Sequence, residues 1–463
     1  MSPTPDSTGV SVVGLGKLGA CIAACFASKG FPVIGVDVSQ RTLDLVNQHR
    51  APVFEPQLGE LMAAAGDRLR ATSDYGEAIA ASDVTLVVVP TPSDEEGGFS
   101  LRYVLEAATE IGRALRSKDG YHLVVLTSTV LPGSTEYGML PILERESGKR
   151  CGEGFGLCYS PEFIALGSVI RDFLNPDFLL VGESDERAGG ILAELYGRVC
   201  DRVAPVARMN FVNAELAKIS VNTYVTMKIS FANMMAALCE HLPGGDVDVV
   251  TAALGLDSRI GPRYLKGAVG YGGPCFPRDN QALSFLARRL GHRAELAEAT
   301  DSYNRSLLDR LVEKVRDVAP EGGLAAVLGL SYKPDTNIVE ESHGLLLADR
   351  LARSGLRVRV HDPVAMEMAE KVLGNRVEYA ASIEAAVSGA DVIVIANSDK
   401  IYGEMNLAEL RDRPAVIDAW RLLRQRPDLD ASVNYLGLGL GEDNHRLSAV
   451  LGTLWGDPAS TRS

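Results

Sequence analysis

Three glycines near the N-terminus constrain the fold of this chain more than any other feature. Gly14, Gly16 and Gly19 follow a short apolar run and begin a helical pattern, with Lys17 and Leu18 between them. Glycines at this spacing allow a tight turn between a strand and a helix, and they let the helix N-terminus approach a pyrophosphate closely. The pattern predicts a dinucleotide-binding turn formed by these five residues. A purely structural glycine turn is the alternative.

An acidic residue stands at the end of the next apolar run. Asp37 occupies the position from which a carboxylate binds the ribose hydroxyls of a dinucleotide and repels a 2′-phosphate. The cofactor indicated is therefore NAD rather than NADP. Arg41 lies close by and weakens that preference, and it is included among the candidate NAD-binding residues.

Short apolar runs alternate with helical patterns in two regions of the chain, and alternation of this kind is typical of βαβ units in a parallel sheet. Between these regions, residues 214–240 read as one long helix. We predict an α/β fold with two Rossmann-like doubly wound domains joined by a helical central domain that contains this helix. The predicted strands are 10–13, 32–36, 84–89, 123–126, 156–159 and 178–181, then 324–330, 356–360, 391–396 and 416–418.

The composition excludes several classes of function. The 463 residues are 46% hydrophobic and 23% charged, as in a globular protein too long for one core. A net charge of −14 argues against a nucleic-acid partner, because such proteins usually carry a basic surface. The seven cysteines are scattered and suggest no metal site, which indicates a reducing compartment such as the cytoplasm. No basic segment followed by an apolar one opens the chain, so no signal peptide is expected.

One stretch is apolar enough to be compared with a membrane span. Residues 219–239 carry a single charge, at Lys228, together with several polar side chains. A lysine in the middle of a span costs about 2.5–3.5 kcal/mol on insertion scales. We therefore predict a helix in a protein core or a subunit interface, and no membrane partner.

A second glycine-rich segment, 270–279, carries the most reactive candidate. Its one thiol, Cys275, is followed closely by the carboxylate of Asp279. A thiol in such a loop can attack a carbonyl carbon and hold it covalently, which would let a dehydrogenase oxidise an aldehyde on to an acid. The alternative is a buried cysteine that fills a tight loop as a small hydrophobe.

Polar residues follow three of the predicted strands. Thr91 and Pro92 come after one strand, Ser128 and Thr129 after the next, and Glu162 after a third. Because ligands of open α/β sheets lie at the carboxyl ends of the strands, these residues are candidates to line a cofactor or a substrate. Glu162 could position or deprotonate water there. Ordinary turn residues and a surface glutamate are the alternatives.

The long helix carries a lysine and an asparagine on one face. Lys218 and Asn222 are spaced i, i+4 among apolar neighbours, so both polar groups are expected to be buried or to line a cleft. A cation and an amide placed in this way can stabilise a developing oxyanion. A solvent-facing polar stripe is the alternative.

Basic residues in the second half of the chain match an anionic ligand. Arg259 and Lys266 precede the cysteine loop, and Lys333 follows a strand of the second alternating region. Each alone is usually a solvated charge, but together they would match a ligand that bears two phosphates.

These motifs together resemble the UDP-glucose 6-dehydrogenase family of nucleotide-sugar dehydrogenases. The resemblance implies oxidation of the C6 hydroxyl of a UDP-sugar, in the first place UDP-glucose, to a carboxylate with two NAD, in a homodimer formed through the long helix. It extends over about residues 10–425 and is carried by 14–19, 55–56, 89–92, 128–130, 161–163, 218 with 222, 270–279 and 332–333.

The resemblance also implies a role for each matched residue. Cys275 would capture the C6 aldehyde as a thiohemiacetal and then form a thioester, while Lys218 and Asn222 stabilise oxyanions. Asp279 and Thr129 would assist proton transfer through water, and Glu162 would help to activate the hydrolytic water. The implied contacts to the nucleotide sugar are Glu162, Phe163, Lys218, Asn222, Arg259, Tyr264, Lys266, Gly272, Tyr332, Lys333 and Arg421.

Three domains follow from the same resemblance. Residues 1–208 would bind NAD, residues 209–310 would form a helical domain for dimerisation and catalysis, and residues 311–463 would bind the nucleotide sugar.

The chain departs from the family pattern at a few positions. Leu166 stands where the family usually has a glutamate near the cofactor, and Glu340 stands where it has an arginine near the NAD phosphates. We expect these two changes to compensate each other. Arg421 is displaced by one residue from the usual substrate arginine, and Arg278 replaces a usual lysine.

Three alternative functions are open at this point. Phe163 stands where relatives that act on UDP-N-acetylmannosamine commonly have arginine, which favours a UDP-glucose-like substrate and leaves a UDP-N-acetylhexosamine open. A two-electron hydroxyacid dehydrogenase would need neither Cys275 nor a second doubly wound domain. A nucleotide-binding regulatory protein would have no need of the retained Cys275, Lys218, Asn222 and Asp279.

Overall fold

The computed structural model describes residues 8–441 and 451–453. Contacts between residues divide the chain into two compact units, and the divisions at 221 and 284 fall within helices. The domain bounds predicted after residues 208 and 310 stay predictions, and their outer ends at 1 and 463 lie outside the described residues. The first unit comprises Met1–Val221 and Phe285–Leu290, and the second comprises Asn222–Ser284 and Gly291–Ser463.

The first unit is built on a sheet of eight strands. These are β1 (Val10–Val13), β2 (Val33–Val36), β3 (Leu69–Thr72), β4 (Val84–Val87), β5 (His122–Leu126), β6 (Phe155–Tyr159), β7 (Leu179–Glu183) and β8 (Val206–Met209). They pair in the order β3-β2-β1-β4-β5-β6-β7-β8, and all neighbours are parallel except β6 with β7. The direction of winding changes between β1 and β4, which is where ligands bind in sheets of this kind.

Helices cover both faces of this sheet. Side chains alternate between the faces, so that Val10 and Val12 belong to one apolar cluster while Val124 and Leu126 belong to the other. The helices are α1 (Lys17–Ser28), α2 (Gln40–Asn47), α3 (Leu58–Ala65), α4 (Tyr75–Ala80), α5 (Arg102–Arg116), α6 (Leu140–Ser147), α7 (Val169–Leu174) and α8 (Glu186–Val199), with a π-helix at Ser134–Met139 and a 3₁₀ turn at Gly66–Arg68.

The middle of the chain is helical. The longest helix, α9 (Phe211–Cys239), has 29 residues and begins before the predicted start at 214. It is followed by α10 (Val247–Gly255), α11 (Phe276–Arg289) and α12 (Glu295–Val318).

The second unit contains a sheet of six parallel strands. These are β9 (Leu324–Leu328), β10 (Arg357–His361), β11 (Glu378–Tyr379), β12 (Val392–Ile395), β13 (Ala415–Asp418) and β14 (Asn434–Gly437), which pair in the order β11-β10-β9-β12-β13-β14. The helices of this region are α13 (His343–Arg353), α14 (Met366–Leu373), α15 (Ile383–Val387) and α16 (Leu429–Ser432), with 3₁₀ turns at Gly374–Arg376, Lys400–Glu404 and Leu407–Glu409. The predicted fold class, with two doubly wound parallel sheets and a helical central region, is confirmed.

The sequence analysis did not predict four strands, β3, β8, β11 and β14. Each of them is an edge strand of its sheet and has a neighbour on one side only. In β3 buried residues alternate with exposed or half-exposed ones, β8 and β14 have no buried residue, and β11 has only two residues. An edge strand therefore lacks the continuous apolar run that marks a buried parallel strand.

Within the described residues no helix is long and apolar enough to cross a membrane. The seven cysteines all lie within the described residues, and none of them forms a disulfide.

Candidate active site

The glycine turn lies at the carboxyl end of β1 and leaves open space before α1. Gly14 has φ +91°, and a Cβ there would lie 2.4 Å from the carbonyl oxygen of Val88, so only glycine fits. A Cβ on Gly16 would meet no atom within 4 Å. Gly16 precedes α1 and provides no side-chain cap, so the helix N-terminus is free to bind an anion. The residues present therefore fit a pyrophosphate.

Asp37 joins the end of β2 to this turn. One carboxylate oxygen accepts a hydrogen bond from the backbone N–H of Leu15 at 2.8 Å, and the other accepts from the N–H of Ser39 at 2.8 Å. The acid is thus fixed beside the glycine turn, where the predicted contact with ribose requires it. Arg41 lies exposed at the start of α2.

The loops after β4 and β5 are tied to each other. The hydroxyl of Thr91 donates to the carbonyl oxygen of Thr129 at 2.8 Å. The hydroxyl of Ser128 donates to the carbonyl oxygen of Val89 at 2.6 Å and accepts from the N–H of the same residue at 3.0 Å. The structure brings these two loops together at the carboxyl edge of the sheet, with Pro92 exposed beside them.

Lys218 is fixed against the loop that follows β6. Its side chain is buried, and its ammonium donates to the carbonyl oxygen of Glu162 at 2.6 Å. The same ammonium lies 4.4 Å from the centre of the Phe163 ring, a distance at which the ring face attracts a cation. A solvent-facing stripe, the alternative reading of this lysine, is wrong.

The carboxyl group of Glu162 has a pKa near neutral pH. Burial raises the pKa of its carboxyl to about 7, while a hydrogen bond from Tyr196 and the charge of Lys218 oppose part of that rise. The Tyr196 hydroxyl lies 3.3 Å from the Glu162 carboxylate and accepts a hydrogen bond from Ser160. A group that titrates near pH 7 can both take and return a proton under physiological conditions.

In the second unit, Cys275 immediately precedes α11. The thiol is exposed, so the reading of this cysteine as a buried filler is wrong. It stands at the N-terminus of a 14-residue helix, where the partial positive charge of the helix dipole favours an anion. This is a suitable position for a nucleophilic sulfur and for the oxyanion formed when it attacks a carbonyl.

Asp279 lies one turn into α11 and is almost completely buried, with 1% of its surface exposed. The side-chain amide of Asn222 donates to one of its carboxylate oxygens at 2.6 Å, and the Arg278 guanidinium lies 3.5 Å from the other. Asn222, Asp279 and the helix that begins after Cys275 therefore form one cluster.

The glycines before Cys275 make room for a neighbouring loop. A Cβ on Gly272 would lie 2.2 Å from the carbonyl oxygen of Glu341, and one on Gly273 would lie 2.8 Å from the Tyr332 ring. The N–H of Gly273 donates to the carbonyl oxygen of Glu340 at 2.9 Å. Close packing of the two loops thus explains these glycines without a ligand, and contact of Gly272 with substrate stays a prediction.

Apart from Arg421, the remaining candidate substrate residues of this unit are exposed or half-exposed. Arg259 pairs with Asp257 at 2.6 Å, and Lys266 is exposed. Tyr264 has φ +63°, an uncommon conformation for an aromatic residue, and its ring packs edge-on against Phe276, 6.5 Å between centres. Tyr332 and Lys333 are half-buried.

Comparison with known proteins covers most of the chain. Residues 8–200, 212–306 and 326–425 match the NAD binding, central and UDP binding domains of the UDP-glucose/GDP-mannose dehydrogenase family. The chain belongs to this family. It is therefore an NAD-dependent nucleotide-sugar dehydrogenase, as the motifs predicted.

Individual relatives agree with this assignment. A UDP-glucose 6-dehydrogenase of Haloferax volcanii is 37% identical over 427 residues, which are 91% of this chain and 98% of that protein. A GDP-mannose 6-dehydrogenase of Pseudomonas putida is 34% identical, over 86% of this chain and 93% of its own. The solved structure of a UDP-glucose dehydrogenase from Pyrobaculum islandicum has a TM-score of 0.86 and 35% identity, covering 95% of this chain and all of that one.

Arg421 occupies a position that argues against its predicted contact with substrate. Only 2% of its side chain is exposed, and its guanidinium forms two bonds to the Asp248 carboxylate, at 2.7 and 2.9 Å. It also donates to the carbonyl oxygens of Ala419 and Leu438. The guanidinium is therefore engaged within the protein, so a structural ion pair to α10 explains this arginine better than a ligand does.

Several residues of the site carried no recognisable signal in the sequence. Tyr196 lies on α8, far along the chain from the Glu162 that it contacts. Glu215 is completely buried and accepts hydrogen bonds from the N–H groups of Gly133 and Thr135, at 2.6 and 2.8 Å, just after the Thr129 loop. The spacing of three residues along one helix is enough to place Glu215 on the same side as Lys218, but it does not predict which groups Glu215 contacts.

Proposed function

We propose that this enzyme oxidises the C6 hydroxyl of a UDP-hexose to a carboxylate, and that UDP-glucose is its substrate and UDP-glucuronate its product. The observation that carries the proposal is the exposed thiol of Cys275 at a helix N-terminus, followed by the Asn222–Asp279 pair. A two-electron hydroxyacid dehydrogenase has no use for such a thiol. The match to a UDP binding domain and the UDP-glucose dehydrogenases among the relatives support the choice of sugar nucleotide.

The proposed reaction has four steps. The alcohol loses a hydride and a proton to give an aldehyde, and the Cys275 thiolate adds to that aldehyde carbon, which after protonation is a thiohemiacetal. Loss of a second hydride and a proton gives a thioester. Water then displaces the thiol and leaves the carboxylate. Each of two NAD molecules accepts one hydride, so one sugar nucleotide yields two NADH.

We propose binding and catalytic roles for the other side chains of the site. Gly14, Gly16, Lys17, Leu18 and Gly19 would hold the pyrophosphate of NAD and Asp37 its ribose. Lys218 and Asn222 would stabilise the oxyanions, and Asp279 and Thr129 would relay protons through water. Glu162 would take a proton from the hydrolytic water. Contacts with the rest of the cofactor are assigned to Arg41, Thr91 and Pro92, and contacts with the nucleotide sugar to Phe163, Arg259, Tyr264, Lys266, Gly272, Tyr332 and Lys333.

The function is tested by incubating the enzyme and NAD with a panel of sugar nucleotides and counting NADH formed per sugar consumed. The panel contains UDP-glucose, a UDP-N-acetylhexosamine and GDP-mannose. We expect two NADH per UDP-glucose and a much lower kcat/KM for the other two. A ratio of one would support two-electron chemistry, and preferred turnover of another sugar nucleotide would replace UDP-glucose as the substrate.

Glu162 makes the hydrolytic step depend on pH. Its carboxyl has a pKa raised to about 7, so the carboxylate that accepts a proton from water is lost as the pH falls below 7. We expect the single-turnover rate of acid release to rise with pH to a plateau, with a midpoint near 7. Glu162→Gln should remove this dependence and slow acid release by about 10²-fold.

The exposed Glu194, on the same helix as Tyr196, provides a matched control. Glu194→Gln should keep both the rate and the midpoint. If Glu162→Gln retained a normal rate and pH profile, another group would have to activate the water.

We also propose that two copies of the chain associate through α9. Leu216, Tyr224, Phe231, Met234 and Leu238 are large apolar side chains, each more than a third exposed. At 100° per residue they fall within one stripe of the helix. Pairing of this stripe with its copy would cover it, and light scattering should give twice the mass of 49.5 kDa. A monomer at micromolar concentration would contradict the proposal.

We also propose a role for each of the three predicted domains and a cellular location for the enzyme. We propose that residues 1–208 bind NAD, that 209–310 carry the dimer contact and catalytic residues, and that 311–463 bind the nucleotide sugar. The match of residues 8–200 to the NAD binding domain and of 326–425 to the UDP binding domain supports these roles. Seven cysteines without a disulfide favour a reducing compartment, and we propose the cytoplasm.

A further inference from the structure

A chain of buried polar side chains connects the two sides of the Cys275 loop. The side-chain amide of Asn280 donates to the hydroxyl of Tyr271 at 3.0 Å, and that hydroxyl lies 3.4 Å from a carboxylate oxygen of Asp301. Asn280 also donates to the hydroxyl of Thr226 at 3.0 Å, and the other oxygen of Asp301 pairs with Arg305. The first four residues are less than a tenth exposed, so water does not compete for these bonds.

Tyr271 occupies the centre of this network. Burial raises the pKa of its hydroxyl far above the usual range, so the group stays protonated and donates to Asp301 while it accepts from Asn280. The Tyr271 ring also packs edge-on against Phe276, the residue directly after Cys275, with 6.2 Å between centres. The hydroxyl and the ring of one residue thus reach both Asn280 and the start of α11.

The backbone of the same tyrosine is held by α12. The side-chain oxygen of Asn304 accepts from the N–H of Tyr271 at 2.8 Å, and its amide donates to the carbonyl oxygen of Tyr271 at 2.9 Å. A Cβ on Gly270 would lie 2.2 Å from that Asn304 oxygen, which explains the glycine. Both hydrogen-bonding groups of this peptide segment are therefore fixed to a long helix.

Cys275 lies between two points that this network fixes. Tyr271 precedes the thiol in the loop, and Asn280 follows it in the first turns of α11, next to Asp279. Since both flanks are joined through one hydrogen bond, a loss of that bond would loosen the thiol relative to Asp279. Displacement of a reacting group by about 1 Å can cost on the order of 10²-fold in rate.

We propose that Tyr271, supported by Asn280, Asp301 and Asn304, is a positioning residue that holds Cys275 for capture of the aldehyde. The inference rests on the proposed function, because it assigns the network to the covalent step. The first oxidation converts an alcohol to an aldehyde and needs no thiol, whereas the second needs the thiohemiacetal. A misplaced thiol therefore slows the second oxidation selectively and lets the aldehyde escape.

The test is Tyr271→Phe, which removes one oxygen atom from the network and keeps the ring. We expect acid formation to fall by about tenfold or more, the NADH formed per sugar to move from two toward one, and hydroxylamine to trap more aldehyde. Backbone amides of residues 270–275 should exchange with deuterium faster in the absence of NAD and sugar. Tyr303→Phe, a change on the neighbouring face of α12 outside the network, should leave all of these measurements as in the parent enzyme.

Equal slowing of both oxidations, with the ratio unchanged at two, would show a purely structural tyrosine and overturn the inference. If Tyr271→Phe did not fold, Thr226→Val would test the outer bond of the same network, with a smaller shift of the ratio in the same direction. Cys275→Ser is measured in parallel. If Cys275→Ser still formed two NADH per sugar, the covalent step itself would be refuted. If Cys275→Ser formed fewer than two NADH per sugar while Tyr271→Phe still formed two, only the positioning role of Tyr271 would be refuted.

Discussion

Cys275→Ser is expected to reduce formation of the sugar acid by about 10³-fold or more. A serine hydroxyl is far less acidic than a thiol, so at neutral pH it provides almost no anion to attack the aldehyde. Losses of this size are usual when the nucleophile of a covalent mechanism is removed. Because the first oxidation does not use the sulfur, the variant should still reduce NAD to NADH, with at most one NADH per sugar and a trappable aldehyde.

A half-buried thiol elsewhere in the chain provides the control. Cys151→Ser should retain normal acid formation and two NADH per sugar, since Cys151 stands just before β6 in the first unit and is not one of the proposed site residues. Binding of NAD by both variants, followed by fluorescence, should match the parent enzyme. Near-normal acid formation by Cys275→Ser would eliminate the thiohemiacetal and the thioester from the mechanism.

Lys218→Met is expected to lower kcat by about 10²–10³-fold, with a much smaller effect on the KM for NAD. The buried ammonium is the positive charge proposed to face the developing oxyanions, and loss of one such donor typically costs this much. The substitution should also change the pKa of Glu162. The charge of Lys218 opposes the rise in the pKa of Glu162, so its removal should move the midpoint of acid release above pH 7.

Lys228 lies on the same helix and serves as the matched control. Its ammonium donates to the carbonyl oxygen of Ile260 at 3.0 Å, and Lys228 is not one of the proposed catalytic residues. Lys228→Met should leave kcat within about threefold and the pH midpoint near 7. If Lys218→Met lost activity without moving the midpoint, the lysine would act on the oxyanion alone; if kcat were unchanged, its assigned role would be wrong.

The sequence predicted those parts of the site whose chemistry depends on short-range spacing. A single turn holds the glycines together, one helix start holds Cys275 near Asp279, and Asp37 ends the strand that follows the glycine turn and its helix, so spacing along the chain was enough to predict these candidates. The same holds for Lys218 on the long helix. Arg421 shows the limit of this reasoning: its position near a family motif suggested a ligand, whereas the fold pairs it with Asp248 on α10.

The fold class and the reactive groups of this protein were determined by local sequence, because apolar runs, glycine turns and helical spacing act within a few residues of each other. The tertiary structure alone decided which distant groups meet. It set the pKa of Glu162 by burial and by Tyr196, and it enclosed Tyr271 with Asn280, Asp301 and Asn304 around the cysteine loop. Such contacts depend on the desolvation and packing of separate helices, which no spacing along one segment records.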